Sequence, residues 1–349
     1  MTGRHKIRQE VKRVKDIVNS LENNIFWEQT YNRLLDKQDN WHRYSKEELA
    51  EINKTFNNKQ SIIKELESGT YKWGIPGKVE LSKHQNSKKR VVYVYDMQDR
   101  FVLGVLYRVF SYCYNDELSA ACFSYRKDIG TIDALHYIKE QRDKTSEITQ
   151  DKPEDYIGLK LDIHAYFNSV NREKLHKDVD ELFDRQQSIK GVGSEVNTDR
   201  DIKLLGIKIS IESMLFNDTV NYNGQLIQEY KSLVPGSPFG SFLANWVLRE
   251  LDLCFIDKTY ARYSDDIIII ENNKDKIDKD LEIILKYIGD IGLTINPEKY
   301  QWFKCNDDIE FLGLKLCSNG DIDISDHAKH KIKKQIHRWT LKGRVEIEK

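Results

Sequence analysis

The sequence predicts an α+β fold, a mixed sheet with packed helices, and three observations carry the prediction. Residues 260–263 and 267–270 are apolar or aromatic runs joined across Ser264, Asp265 and Asp266, a hairpin by length and composition. Residues 311–316 and the pair Ile322 and Ile324 flank Ser318, Asn319 and Gly320, and Asn-Gly is a strong hairpin signal. Stretches with helical spacing lie around these strands, which favours a mixed sheet packed by helices over a parallel doubly wound one.

In chain order, Ile7, Val11, Val14, Val18 and Leu21 recur at helical spacing with Lys and Arg between them. They predict an opening basic amphipathic helix, with further helices through Leu66. Gly69, Gly74, Pro76 and Gly77 around Trp73 punctuate the chain as a loop, so residues 1–75 read as an N-terminal helical extension. Residues 78–90 read as a basic loop feeding a strand over 91–95, and 101–110 as a buried helix. Ile157, Leu159 and Leu161 alternate with Gly158, Lys160 and Asp162, the period-two pattern of a strand with one covered face, ending on Asp162. Asn171 is placed to cap a helix through Leu175, Val179 and Leu182. Residues 188–194 read as a loop. Gly236 and Gly240 break the chain before a helix carrying Phe242, Leu243, Trp246, Val247 and Leu251, and Leu281, Ile284, Leu285 and Ile288 give another.

At 349 residues the chain predicts two or three structural units and a sizeable core. Lys plus Arg number 55 against 56 Asp plus Glu, so any nucleic-acid surface must come from local clustering. No run approaches the roughly 18 apolar residues of a membrane span, and no apolar stretch follows the basic N-terminus as in a secretory signal. A cytoplasmic location without membrane partners is expected. Five cysteines with no CxxC spacing argue against a zinc knuckle or a disulfide framework and for reduced, packed thiols.

Three acids fall at strand ends: Asp162 where a strand terminates, and Asp265 with Asp266 at a hairpin tip beside four isoleucines. A carboxylate there is costly without a partner. Mg²⁺ suits the position, because it takes oxygen ligands and usually joins one or two carboxylates to substrate phosphates. Two such ions roughly 4 Å apart can activate a hydroxyl and stabilise a leaving pyrophosphate. A solvated Asp-Asp turn beside a strand-ending Asp fits the same spacing, so spacing alone leaves both readings open. Lys78, Lys83, Lys88, Lys89 and Arg90 face only Glu80 over their span, which suits a triphosphate or a nucleic-acid backbone, or else is a solvated face. Residues 327–344 carry seven Lys or Arg and no acid, with Ile332, Ile336 and Trp339 near helical spacing, a helix for gripping nucleic acid or docking a partner.

The stretches LKLDIHAYFNS (159–169), VPGSPFGSFLAN (234–245), YSDD (263–266), GLTINPEK (292–299) and FLG (311–313) resemble motifs A to E of reverse transcriptases, in the same order. DR at 99–100 and SYR at 124–126 look like the fingers elements that precede motif A in the bacterial branch, with its retron, group II intron and defence-associated enzymes. The resemblance spans about residues 75–325. It implies a right-hand polymerase palm and fingers with a short or partial helical thumb. Fingers and palm entry would occupy 76–156, and the palm 157–325 with a fingers-type insertion near 185–230. A basic thumb helix would start over 326–349.

The same resemblance implies an RNA-directed DNA polymerase with two Mg²⁺ ions, or Mn²⁺, held by Asp162, Asp265 and the backbone carbonyl of Ile163, with Asp266 closing the site. Lys299 would protonate the leaving pyrophosphate, or is only a helix-end charge. Lys89, Arg90, Ile163, Phe167, Pro235 and Gly236 would bind the nucleotide, Arg90 being the first choice for the triphosphate. Phe167 matches the steric gate, a ring that leaves no room for a 2′-hydroxyl; a core aromatic is the alternative. Arg126, Tyr263, Phe311, Gly313, Lys333 and Arg338 would contact nucleic acid. The implied partners are dNTPs, an RNA template or noncoding RNA, the DNA product, and a protein partner or second copy, in antiviral defence. Motif B departs from the family pattern, with Pro235 where many relatives carry Gln and Gly240 where they carry Ser. That loss of polar side chains raises untemplated or protein-primed synthesis, and a non-catalytic RNA-binding scaffold is the reading from another class. No RNase H, endonuclease, maturase or P-loop signature is present.

Overall fold

Helix starts obey capping chemistry. Asp16, Ser45, Asp96, Asn171 and Asn273 each accept a hydrogen bond from the backbone N–H three residues on, and Ser45 with Glu48 completes a capping box. The computed structural model describes residues 15–40, 44–82, 89–149, 157–188, 198–296, 298, 300–304, 307–317 and 320–347. The first half of the chain forms helices α1 (Ile17–Glu22), α2 (Asn24–Asn40), α3 (Lys46–Asn57) and α4 (Lys59–Glu67), strands β1 (Gly77–Ser82) and β2 (Lys89–Val94), helices α5 (Met97–Tyr114) and α6 (Thr131–Thr149), and strand β3 (Ile157–Asp162). Helices α7 (Tyr166–Ser169), α8 (Arg172–Gln187) and α9 (Thr198–Leu215), strands β4 (Thr219–Tyr222) and β5 (Gln225–Gln228), and helices α10 (Pro238–Val247) and α11 (Arg249–Leu253) follow. Strands β6 (Thr259–Tyr263) and β7 (Asp266–Glu271), helix α12 (Lys274–Asp290), strands β8 (Gln301–Lys304), β9 (Ile309–Phe311), β10 (Leu314–Leu316) and β11 (Ile322–Ile324), and helix α13 (Asp326–Ile347) complete it.

One compact unit joins Met1–Glu117 to Val170–Val247. Helix α5 is its hub, packed by α1, α2, α3 and α10. Phe110 sits among Phe183, Phe239 and Phe242, and Tyr114 edges onto Trp246, with ring centroids 5.0–6.0 Å apart, the offset geometries that aromatic quadrupoles favour. In a four-stranded sheet, β2-β1-β4-β5, strands β1 and β4 pair in parallel at Gly77 and Asn221. Two expectations are corrected here. The span read as a basic loop opens with β1, whose Lys78 and Glu80 pair across to Tyr93 and Val91. The hairpin β4–β5 escaped notice although Asn223 and Gly224, at φ +53° and +85°, form the same Asn-Gly turn that marked residues 319–320. Of the opening helix expected from Ile7, only α1 falls among the described residues, and the loop 188–194 lies mostly outside them.

The second unit joins Leu118–Ser169 to Leu248–Lys349. Its sheet, β6-β7-β3-β8, is antiparallel throughout. Ile268 and Ile270 are buried with Ala134, Leu135 and Ile138 of α6 and with Phe311 and Leu316. Ile267 and Ile269 alternate to the other face and are equally buried, with α12 packed on β7 and β3. That two-sided burial explains the unbroken isoleucine run. Gly158 stays bare because a methyl group there would sit 2.0 Å from the Phe303 ring. The second expected hairpin is a three-stranded meander, β9-β10-β11, turned first by Leu312 and Gly313 at φ +56° and +81°. Its Ser318 and Asn319 lie outside the described residues. Cys113, Cys122, Cys254 and Cys317 are free thiols, and no described helix is long and apolar enough to cross a membrane.

Candidate active site

Strands β3 and β7 run antiparallel with Asp162 opposite Asp266. Directly opposed residues in such a pair project from the same face with Cβ atoms about 5 Å apart. Tyr263 pairs with Asp266, so the turn consists of Ser264 and Asp265 alone and Asp266 belongs to the strand. Ser264 sits at φ +59°, as a tight hairpin turn requires. The Ile163 N–H donates to the Asp265 carbonyl at 3.0 Å, the Asn296 N–H to the Asp162 carbonyl at 2.9 Å, and the His164 N–H to the Thr294 carbonyl at 2.8 Å. Backbone bonds thus fasten residues 162–164 to the ends of two later segments, at 265–266 and 294–296, around one pair of acids. All three aspartates are partly exposed.

This donor set fits a hard divalent cation. Among the described residues no three His, Cys, Asp or Glu side chains converge as a ready cage. Mg²⁺ does not need one, since it binds through one or two carboxylates and completes its octahedron with water and substrate phosphates. Asp162 and Asp265, with the Ile163 carbonyl, are the groups that would hold it, and Asp266 faces Asp162 across the sheet.

Phe167, on α7, is half-exposed, while its neighbour Tyr166 is 1% exposed and takes the core position. The ring of Tyr125 meets Phe167 edge-on at 6.0 Å and leans on Tyr263 at 6.3 Å, and its hydroxyl lies 3.5 Å from Ser264 Oγ. Tyr125 is the middle residue of the SYR stretch at 124–126, to which the resemblance assigns no individual role.

In the first unit, Lys78 pairs with Glu229 at 2.5 Å and Lys89 with Glu80 at 2.6 Å, whereas exposed Arg90 has no ion-pair partner among the described residues. The motif B loop is tied to the same strand, since the Tyr93 N–H donates to the Pro235 carbonyl at 2.8 Å. Gly236, at φ +99°, comes so close that a methyl group would lie 3.0 Å from the Tyr93 carbonyl. Ser232 and Val234 also have positive φ, a costly state for a β-branched residue such as Val234. Just before them, Lys231 is 1% exposed, its amine on the Asn217 carbonyl, and burial pushes its pKa down to about 8 against the pull of Asp218.

Residues 81–316 match the family described as reverse transcriptase (RNA-dependent DNA polymerase). The chain belongs to the reverse transcriptase family. It is similar to Retron Ec73 reverse transcriptase of Escherichia coli, 27% identical over 212 residues that make up 57% of this chain and 60% of that protein. It is also similar to the enzymatic polyprotein of soybean chlorotic mottle virus, 36% identical over 87 residues, 22% of this chain and 12% of the polyprotein. The matches thus span under two thirds of either relative. Among solved structures, apo telomerase from Candida tropicalis, truncated from its C-terminal domain, superposes with TM-score 0.54 at 12% identity, covering 72% of this chain and 55% of that one. Candida albicans telomerase in complex with a fragment of telomeric RNA gives TM-score 0.54 at 15% identity, covering 74% and 47%. Such identities show the fold, the α+β polymerase palm and fingers.

The remaining residues singled out by the reverse transcriptase resemblance divide sharply. Phe311 is 0% exposed, so its ring belongs to the core with Lys160 above it, and the expected nucleic-acid contact cannot come from that side chain. Gly313 holds the β9–β10 turn, and its carbonyl accepts from the Ser325 N–H at 3.0 Å. Arg126 spends one guanidinium nitrogen on the Ser119 and Cys122 carbonyls, at 2.8 and 3.0 Å. Tyr263 is half-buried against the second unit's core. Lys333 is exposed on α13, while the Arg338 side chain and Lys299 lie outside the described residues. Arg262 and Asp252, both fully buried, were missed. An arginine inside an apolar strand was the signal available.

Proposed function

We propose that this chain is an RNA-directed DNA polymerase (EC 2.7.7.49) that adds dNTPs to a 3′-hydroxyl by a two-metal reaction. The observation that carries the reading is the register that sets Asp162 against Asp266 while the Ile163 N–H holds the Asp265 carbonyl. When bound, Mg²⁺ or Mn²⁺ supplies the charge that favours ionisation of the hydroxyl and neutralises the departing pyrophosphate. In this reading Asp162 and Asp265 hold the ions and Asp266 closes the site. Phe167 fills the space a 2′-hydroxyl would need, Arg90 takes the triphosphate, and Lys299 donates the proton that pyrophosphate requires. The family, described as RNA-dependent DNA polymerases, and the likeness to a retron reverse transcriptase support an RNA template. The retron likeness supports a noncoding RNA partner and a role in cytoplasmic antiviral defence, on analogy alone.

A second reading, untemplated or protein-primed synthesis by the same acids, draws support from motif B. Position 235 is a proline whose carbonyl is committed to Tyr93, and position 240 has no room for a side chain. Primer extension with Mg²⁺, offering each dNTP singly and then all four, with and without copurified RNA, tests both. RNA-dependent copying that vanishes in Asp265→Asn supports the first reading, and copying that survives in Asp265→Asn overturns it. Extension with one dNTP and no RNA moves the conclusion to the second. Inactivity under every condition moves it to a non-catalytic RNA-binding scaffold.

A further inference from the structure

Arg262 lies on β6, two residues before the Ser264–Asp265 turn, and its side chain and that of Asp252 are both 0% exposed. Its Nε and Nη2 donate to the two Asp252 oxygens at 2.7 and 2.6 Å, a bidentate fork. Its Nη1 donates to the Ser264 carbonyl at 3.0 Å, and Nη2 also approaches Cys122 Sγ at 3.3 Å. Tyr260 donates its hydroxyl to Asp252 at 2.8 Å. The Arg262 backbone is held as firmly, its N–H on the Ala121 carbonyl at 2.8 Å and its carbonyl taking the Phe123 N–H at 2.9 Å. Burial works against the guanidinium charge, and the Asp252 carboxylate outweighs it, so Arg262 stays a cation.

We propose that Arg262, oriented by Asp252, is a positioning residue that fixes the Ser264–Asp265 peptide and through it the metal-holding geometry of Asp265 and Asp162. The proposal rests on the polymerase reading above. A buried ion pair is a poor device for stability, because desolvation consumes most of the Coulombic gain and well-packed apolar replacements are often as stable. What this pair does that apolar side chains cannot is donate a charge-assisted bond to one carbonyl. In a two-residue turn the carbonyl of the first turn residue lies outside the strand ladder, and Ser264 is moreover held at φ +59°. Arg262 therefore anchors the peptide on one side of Asp265, and the Ile163 N–H anchors the carbonyl on its other side. Asp162 is the residue before that second anchor. A lysine keeps the charge but lacks the planar fork that can grip Asp252 and Ser264 together.

The test uses the full chain, with Mn²⁺ binding followed by electron paramagnetic resonance and primer extension measured separately. Arg262→Met combined with Asp252→Leu removes both charges and fills the space. It is expected to keep the wild-type urea midpoint, to weaken Mn²⁺ binding about tenfold, and to lower kcat about 100-fold with dNTP KM within about threefold, as loss of alignment predicts. Arg262→Lys should shift Mn²⁺ affinity and kcat in the same direction by less. A folded double variant with wild-type Mn²⁺ affinity and kcat overturns the proposal. If the double variant does not fold, unchanged Mn²⁺ affinity and kcat in Arg262→Lys overturn it instead, and a fall in both supports it. Asp162→Asn separates the two levels: if it leaves wild-type Mn²⁺ binding intact, the polymerase reading of the acids fails, whatever Arg262 does.

Discussion

Replacing Gly240 with alanine probes how motif B is held. A methyl group on Gly240 would sit 2.0 Å from the Leu233 carbonyl oxygen and 3.0 Å from that of Val234, against an ordinary contact distance of 3.4 Å or more. The helix or the loop must therefore yield by more than ~1 Å, a displacement at the upper end of those behind overpacking costs of ~1–3 kcal/mol. The loop has little slack. The Val234 N–H donates to the Lys231 carbonyl at 2.9 Å, the Val234 carbonyl accepts from Ser237 at 3.0 Å, and the Pro235 carbonyl is tied to Tyr93. Better helix propensity returns at most ~1 kcal/mol. A net loss of ~2 kcal/mol corresponds to a fall in Tm of roughly 4–8 °C for a unit of 150–250 residues. Thermal unfolding followed by circular dichroism, with dNTP KM measured in parallel, gives both readouts. Gly240→Ser, which restores the residue many relatives carry, is expected to behave no better than alanine. A Gly240→Ala protein that melts within about 1 °C of wild type refutes the steric account.

Three further outcomes follow from the same geometry. Phe167→Val should lower discrimination against ribonucleotides by ~10–200-fold, the range set by small shape changes in a pocket, as measured by competing dNTP and rNTP incorporation; unchanged sugar preference removes the gate. Arg90→Ala should raise dNTP KM by ~10-fold or more, whereas Lys89→Ala, whose ammonium is already on Glu80, should change it by less than about fivefold; equal effects in steady-state kinetics would sink the distinction. Lys231, with its pKa lowered to about 8 from an ordinary 10.5, binds fewer protons folded than unfolded between those values, so unfolding free energy should rise with pH across that window, by at most ~3 kcal/mol. Urea titrations from pH 7.5 to 10.5 should show that slope, and Lys231→Met should flatten it.

Much of this was legible in the chain because the signals are local. The cap at Asn171, the alternation that ends on Asp162, the strand runs either side of Ser264 and the helical spacing after Gly236 each depend on a few neighbouring residues, and each element formed. The Asn-Gly turn at Asn223 was equally local and was overlooked, because the short strands around it carry Asn, Gln and Thr rather than an apolar run. The strand over Gly77–Ser82 hid among lysines, and its own Lys78 faces Glu229, which the sequence places 151 residues away.

By itself the sequence determined which residues carry carboxylates at strand ends, where the turns and caps fall, and that a motif set in a particular order is present. Only the tertiary structure decided that Asp162 faces Asp266, that Phe311 is core while Phe167 is half-exposed, that Gly240 has no room for a side chain, and that Arg262 holds Ser264. The reason is one of range: propensity and capping act within a turn or two of chain, whereas register and buried partners are fixed by the packing of segments a hundred residues apart, where a one-residue slip would turn every acid to the opposite face.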